Sequence, residues 1–271
     1  MPFDWSTIRG VIADMDGVLW RDKEILPGAS AFFQQLAADH IPYTFATNNS
    51  TRTAAYYVEK ISALGIKVSE AQIISSSIAT ADYLKQVYPR ETCIYVVGEI
   101  GIREVLQTAG FTLIESIDEP VQLVVVGLDR DISYQKLHFA STHIRRGAIF
   151  IATNPDKTFP IPGGLSPGAG SIVAAVAAAA GKSPDRIVGK PGFPMFQIAL
   201  QHLGTAPHET LMIGDRLETD IEGAAHVGIR TALVLSGVTA DRSIIAESST
   251  QPDIIADDLA GLLAAYGDKF S

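Results

Sequence analysis

Asp14 and Asp16 stand two residues apart, directly after the short aliphatic run Gly10-Val11-Ile12-Ala13 and before Gly17. At a strand end that spacing points both side chains the same way, and Gly17 lets the backbone turn sharply. Two carboxylates on one face repel unless a cation or a proton lies between them. One reading is a plain strand-to-loop turn that uses Asp and Gly as turn formers. The other is a divalent-metal site with an acidic nucleophile. A carboxylate that attacks a phosphate ester forms an acyl phosphate and splits hydrolysis into two steps; a second acid then protonates the leaving oxygen and later activates water.

Three further clusters follow aliphatic runs or precede helical patterns. Thr47-Asn48-Asn49-Ser50 offers hydroxyl, amide and backbone N–H donors at an expected helix start, where anions are favoured, although Asn and Ser are also ordinary helix caps. Lys190, between Gly189 and Pro191, is held out of helix and can aim one fixed charge at a site, or can be a solvated surface lysine. Gly214-Asp215 ends another run, and Glu218 and Asp220 fall in the first turn beyond it, where acids also occur for helix-dipole reasons alone. Asp215, at the strand end, is the better metal ligand of these. Together, three acids, a lysine and a donor set are what phosphoryl transfer requires: oxygen ligands for a hard Mg²⁺, donors and a cation for the phosphoryl charge, and a nucleophile.

The elements that must carry these residues alternate. Gly10 to Ala13, Tyr43 to Ala46, Cys93 to Val97, Leu123 to Val126, Ile149 to Ala152, Leu211 to Ile213 and Thr231 to Leu235 read as buried parallel strands. Between them, Ala29 to Asp39, Ala54 to Leu64, Ile100 to Ala109, Tyr134 to Arg145, Phe193 to Leu203 and Glu218 to Val227 read as amphipathic helices, with Gly65, Gly110, Gly147 and Gly228 as stops. This is an α/β chain with a doubly wound parallel sheet, whose ligands bind beyond the carboxyl ends of the strands. Thr153 to Gly170 is expected to be a long irregular Pro/Gly-rich loop. Gly98-Glu99-Ile100-Gly101 lacks the third glycine of a dinucleotide fingerprint, and the glycines from Gly163 to Gly170 lack the Gly-Lys-Ser/Thr of a P-loop.

Asp14-Met15-Asp16-Gly17-Val18-Leu19, Thr47-Asn48-Asn49-Ser50, Gly189-Lys190-Pro191 and Gly214-Asp215-Arg216-Leu217-Glu218-Thr219-Asp220-Ile221 resemble, in order, the four motifs of the haloacid dehalogenase superfamily. The likeness spans the whole chain and is greatest to subfamily IIA, the NagD-like branch of 4-nitrophenylphosphatases, phosphoglycolate phosphatases and pyridoxal phosphate phosphatases. The resemblance implies that Asp14 is the nucleophile and a Mg²⁺ ligand, and that Asp16 is the general acid/base and a ligand through its backbone carbonyl. It implies Asp215 as the third protein ligand and Asp220 behind it. Thr47, Asn48 and the Asn49 backbone would hold the phosphoryl group, and Lys190 would neutralise it.

From Thr47 to Lys190 the chain runs about 140 residues, against roughly 30 for a βαβ unit. An inserted domain is therefore expected: residues 1–80 and 185–271 as the catalytic core, and 81–184 as an α/β domain that in this family resembles a C2-type cap. Asn154, Pro155 and Asp156 are candidate substrate contacts on the cap, and Phe159 suggests a partly apolar lining. The short gap after Asp16 leaves no room for a helical cap there, which weighs against a mutase.

The chain has 271 residues, 47% hydrophobic and 19% charged, with 30 acids against 21 bases and a net charge of −9. That is a globular composition able to bury a core. The acidic balance excludes nucleic acid as the expected partner. No apolar stretch reaches the roughly 20 residues of a membrane helix, and Met1-Pro2-Phe3-Asp4-Trp5 has no signal-peptide pattern, so a cytoplasmic protein is expected. Cys93 is the single cysteine and has no disulfide or thiolate-site partner. The six histidines share no ligand spacing and read as surface or packing residues. The expected activity is Mg²⁺-dependent hydrolysis of a small phosphate monoester. A phosphotransferase on the same site and a non-catalytic phosphometabolite sensor are the alternatives, and the acid at Asp16 disfavours a dehalogenase. The resemblance also suggests a homodimer, for which the sequence itself shows no interface.

Overall fold

The computed structural model describes residues 3–161, 163–239 and 241–267; Met1 and Pro2 of the amino-terminal stretch read above lie outside them. In chain order the elements are β1 (Gly10–Ala13), β2 (Trp20–Arg21), β3 (Glu24–Ile25), α1 (Ala29–Ala38), β4 (Tyr43–Thr47), α2 (Ala54–Ser62), β5 (Ile73–Ser75), α3 (Ser76–Val87), β6 (Cys93–Val97), α4 (Ile100–Thr108), β7 (Thr112–Leu113), β8 (Leu123–Val126), α5 (Tyr134–Arg145) and β9 (Ile149–Ala152). They continue with β10 (Thr158–Ile161), β11 (Gly164–Pro167), α6 (Ala169–Ala180), β12 (Arg186–Ile187), α7 (Phe193–Leu203), β13 (Thr210–Gly214), α8 (Glu222–His226), β14 (Arg230–Val234), α9 (Arg242–Glu247), β15 (Ile254–Ala256) and α10 (Leu259–Gly267). The chain divides into two compact units, one of residues 1–47, 54–74 and 196–271, the other of residues 48–53 and 75–195.

The first unit is built on a six-stranded sheet in the order β15-β14-β13-β1-β4-β5. β1 lies at its centre, parallel to β13 on one side and β4 on the other, and all four of its residues are buried. Burial on both faces explains why its sequence is a continuous aliphatic run without polar alternation. The core packs Val11, Ala13, Phe45, Leu211 and Ile213 from the strands with Phe32 and Phe33 of α1 and Tyr266 of α10. Each large side chain so buried contributes about 1.5–3 kcal/mol.

The second unit has its own five-stranded sheet, in the order β12-β9-β8-β6-β7, with parallel pairings throughout. Val97, Val124, Val126 and Phe150 pack there against Ile172, Val173 and Val176 of α6. α5 starts at Ser133, whose hydroxyl accepts the Lys136 N–H at 3.2 Å. That bond satisfies one of the orphan donors of the first turn. His143 of α5 is buried beside Tyr95, a packing role as its helical setting suggested.

Two expectations need correction. Thr153 to Gly170 is not irregular: β10 and β11 pair antiparallel within it, and Ala169 to Ser171 open α6. The β-branched and aromatic residues Thr158, Phe159 and Ile161 carry the first strand, which the Pro/Gly content had concealed. The helix expected from Glu218 starts instead with one wide turn, Leu217–Ile221, in which the Ile221 N–H reaches back five residues to the Arg216 carbonyl at 3.3 Å. Among the described residues no helix is long and apolar enough to cross a membrane.

Candidate active site

The strand order of the first unit sets its chemistry side by side. Asp14 follows β1, Thr47 ends β4 and Asp215 follows β13, so three neighbouring parallel strands deliver them at their carboxyl ends. The Asp14 N–H donates to the Ile213 carbonyl at 2.8 Å and continues the ladder to the edge of the site. Carboxylate oxygens of Asp14, Asp215 and Asp220 all lie within 4.8 Å of one another. All three residues are buried, with fractional exposures of 8%, 3% and 1%.

Asp220 reaches this cluster because of the wide turn. Its Oδ2 accepts the backbone N–H groups of Asp215 at 3.2 Å and Arg216 at 3.1 Å. A side chain on Gly214 would overlap the Asp220 carboxylate, so Gly214 allows that fold-back. Asp215 is gripped from another loop: Val238 donates its N–H to Oδ2 at 2.6 Å, and the Thr239 N–H donates to the Asp215 carbonyl at 3.0 Å. Gly17, at φ +85°, turns the chain where a side chain would collide with the Asp215 carboxylate.

Like charges about 4 Å apart repel by about 4 kcal/mol at an effective dielectric of 20. A hydrogen bond to a charged acceptor returns about 1.5–3 kcal/mol. The backbone donors thus hold the carboxylates in place without adding positive charge. A set of carboxylate oxygens at this spacing fits a hard divalent cation such as Mg²⁺, whose oxygen ligands sit at about 2.0–2.1 Å and so span about 4 Å across the ion.

Asp16 stands apart from this cluster and is exposed. Its Oδ1 accepts the indole N–H of Trp20 at 2.7 Å. Lys60 of α2 places its ammonium 3.8 Å from the centroid of the Trp20 ring. Partial burial pushes the Lys60 ammonium below its ordinary pKa, opposed by the charges of Asp16 and Asp22. Burial, and after it the Asp16 charge, pushes the Tyr57 phenol well above its usual range. Tyr57 is therefore neutral at any working pH.

The second unit holds the remaining expected residues. Asn48 Nδ2 donates to Asp156 Oδ2 at 3.0 Å and to the Lys190 carbonyl at 2.8 Å, and Lys190 is buried. The Asn48 carbonyl accepts from Asn154 Nδ2 at 2.7 Å and from Ser76 Oγ at 2.7 Å. Asn154 Oδ1 accepts the Asp156 N–H at 3.1 Å, so both ends of that amide brace the loop. Asn49 Oδ1 accepts the Thr51 N–H at 2.9 Å in a local turn.

A family model described as haloacid dehalogenase-like hydrolase matches residues 11–112, and one described as HAD-hydrolase-like matches residues 187–262. Dihydroxyacetone phosphatase of Corynebacterium glutamicum is 36% identical over 96% of this chain and 92% of its own length. The chain belongs to the haloacid dehalogenase-like hydrolases. The 5'-nucleotidase YutF of Bacillus subtilis is also 36% identical, over 94% of this chain and 97% of its own. The solved 4-nitrophenylphosphatase of Thermotoga maritima matches with a TM-score of 0.90 and 31% identity, covering 97% of this chain and 99% of the other. These matches place the protein among the NagD and 4-nitrophenylphosphatase type haloacid dehalogenase-like phosphatases, as a phosphoric monoester hydrolase.

Trp20 and the segment Ser236 to Thr239 were not among the expected site residues. Thr231 to Leu235 reads as a strand, and Ser236-Gly237-Val238-Thr239 stands just beyond it, where Asp14 and Asp215 stand beyond theirs. Trp20 carries no such signal, because an aromatic four residues beyond an acid is ordinarily core.

Proposed function

We propose that this haloacid dehalogenase-like phosphatase hydrolyses a small phosphate monoester in two steps through an aspartyl phosphate on Asp14. The carboxylate cluster of Asp14, Asp215 and Asp220, at the ends of β1 and β13, is the observation that carries this reading. In the first step an Asp14 oxygen bonds to phosphorus as the bond to the leaving oxygen breaks, and Asp16 gives that oxygen its proton. In the second, water loses a proton to Asp16 and bonds to phosphorus, and the acyl-phosphate bond breaks. Thr47 and the backbone N–H groups of Asn48 and Asn49 hold the phosphoryl oxygens, the Asn48 amide being engaged by Asp156 and the Lys190 carbonyl, and Lys190 neutralises their charge.

Asp14, Asp215 and the Asp16 carbonyl would hold Mg²⁺, with Asp220 supporting Asp215. When bound, the ion supplies positive charge against the phosphoryl oxygens. Residues 1–80 and 185–271 form the catalytic core in this reading, and 81–184 form the cap that selects the substrate. We place the protein in the cytoplasm, where a lone Cys93 stays a free thiol.

Asp14→Asn tests the proposal. It is expected to lower 4-nitrophenyl phosphate hydrolysis by about 10³-fold or more, because the amide cannot form the acyl phosphate. Full retained activity would overturn it. Phosphate delivered to an acceptor other than water would favour the transferase.

A further inference from the structure

We propose that Trp20 is a positioning residue that holds the Asp16 carboxylate in the orientation from which it exchanges its proton. The inference rests on the reading of Asp16 as the acid/base group. Among the described residues, the bond from Trp20 Nε1 is the one hydrogen bond to the Asp16 side chain, which is otherwise exposed.

The donor is held more firmly than the acceptor. Trp20 is 2% exposed and packs in the core with Met15, Val18, Leu19 and Phe45. The turn that returns it to Asp16 is fixed by backbone bonds: Gly17 N–H to the Trp20 carbonyl at 2.8 Å, and Leu19 N–H to the Met15 carbonyl at 2.8 Å. The Lys60 ammonium closes over the ring. Swinging the indole away would open a cavity in a close-packed interior, so Asp16 must adapt to Trp20 and not the reverse.

An indole N–H only donates, and the oxygen it binds serves as acceptor. With Oδ1 occupied by Trp20, the proton that Asp16 carries sits on Oδ2. In the first step that proton leaves Oδ2 for the departing oxygen as its bond to phosphorus breaks. In the second, Oδ2 takes a proton from water as the new oxygen–phosphorus bond forms. Trp20 gains and loses nothing.

The effect of such a residue grows with how much the leaving group needs a proton. Trp20→Phe keeps most of the ring and removes the donor. Against the wild type, its kcat/KM, which reports the leaving-group step, is expected to fall about tenfold further on phenyl phosphate than on 4-nitrophenyl phosphate, whose leaving group needs little help. An equal loss on the two esters would mean that Trp20 only packs, and would overturn the proposal. If Trp20→Phe does not fold, Asp16→Ala serves, since Asp16 is exposed. The protein has two tryptophans, so the Trp20 indole N–H resonance is readily assigned; it should shift on Asp16→Ala, and an unmoved resonance would overturn the proposal. Asp16→Ala also separates this inference from the reading beneath it. If that variant keeps phenyl phosphate turnover, the acid/base role of Asp16 fails; if it loses turnover while Trp20→Phe loses evenly on both esters, only the role of Trp20 fails.

Discussion

The backbone N–H of Val238 donates to Oδ2 of Asp215 at 2.6 Å, across 23 positions of sequence. The loop beyond β14 thereby sets the direction of a carboxylate delivered by β13. The contact is close on both sides: a side chain at either Gly17 or Gly237 would overlap the Asp215 carboxylate. Gly237→Ala is expected to turn that carboxylate away while leaving the sheet intact. Phosphatase activity should fall about 10- to 100-fold, the scale of an ångström-sized misplacement. Steady-state kinetics, with circular dichroism as the check on folding, measures it.

Binding of Mg²⁺ at the carboxylate cluster should stabilise the protein, since only the folded chain gathers Asp14, Asp215 and Asp220. At a hundred times Kd the gain is about 2.7 kcal/mol. Thermal unfolding should then move up by roughly 5 °C or more relative to the same ionic strength of a monovalent salt. A chelator should reverse the shift, and Asp215→Asn should remove most of it.

Asn48 joins Asp156 and the Lys190 carbonyl through a single amide group. Asn48→Asp puts a second carboxylate within hydrogen-bond distance of the Asp156 carboxylate and removes both donated bonds. A repulsion of about 4 kcal/mol is available at that distance. The substitution should destabilise the chain by about 2–4 kcal/mol, and Asn48→Ala by about 1–2 kcal/mol. Urea denaturation of the three proteins gives the comparison.

His143 is buried in the second unit, and loss of hydration there lowers its pKa from 6.5; Arg146 adds to the effect, and a backbone bond at Ser116 opposes it. A histidine held neutral in the folded chain gains a proton on unfolding once the pH falls below 6.5. The unfolded state then binds more protons, so stability declines as pH falls below about 6.5. His143→Leu should flatten the dependence across that window, as read from unfolding midpoints at several pH values.

The sequence by itself determined the alternation of strands and helices. It also determined which acids follow which strands. Buried parallel strands must be aliphatic, and their ends must turn, so Gly10–Ala13, Cys93–Val97, Leu123–Val126 and Ile149–Ala152 were legible to the residue. The expected glycine stops at 65, 110, 147 and 228 all take positive φ, because only that conformation closes those helix ends. Tertiary structure alone decided that β1 lies between β13 and β4, and so that Asp14, Thr47 and Asp215 become neighbours. It also decided that the helix after β13 opens with a wide turn that folds Asp220 back onto the Asp215 and Arg216 amides. Trp20 and Val238 joined the site the same way. Their contacts to Asp16 and Asp215 come from a tight turn and from a loop 23 positions away, and residue type carries no trace of a partner that packing brings near.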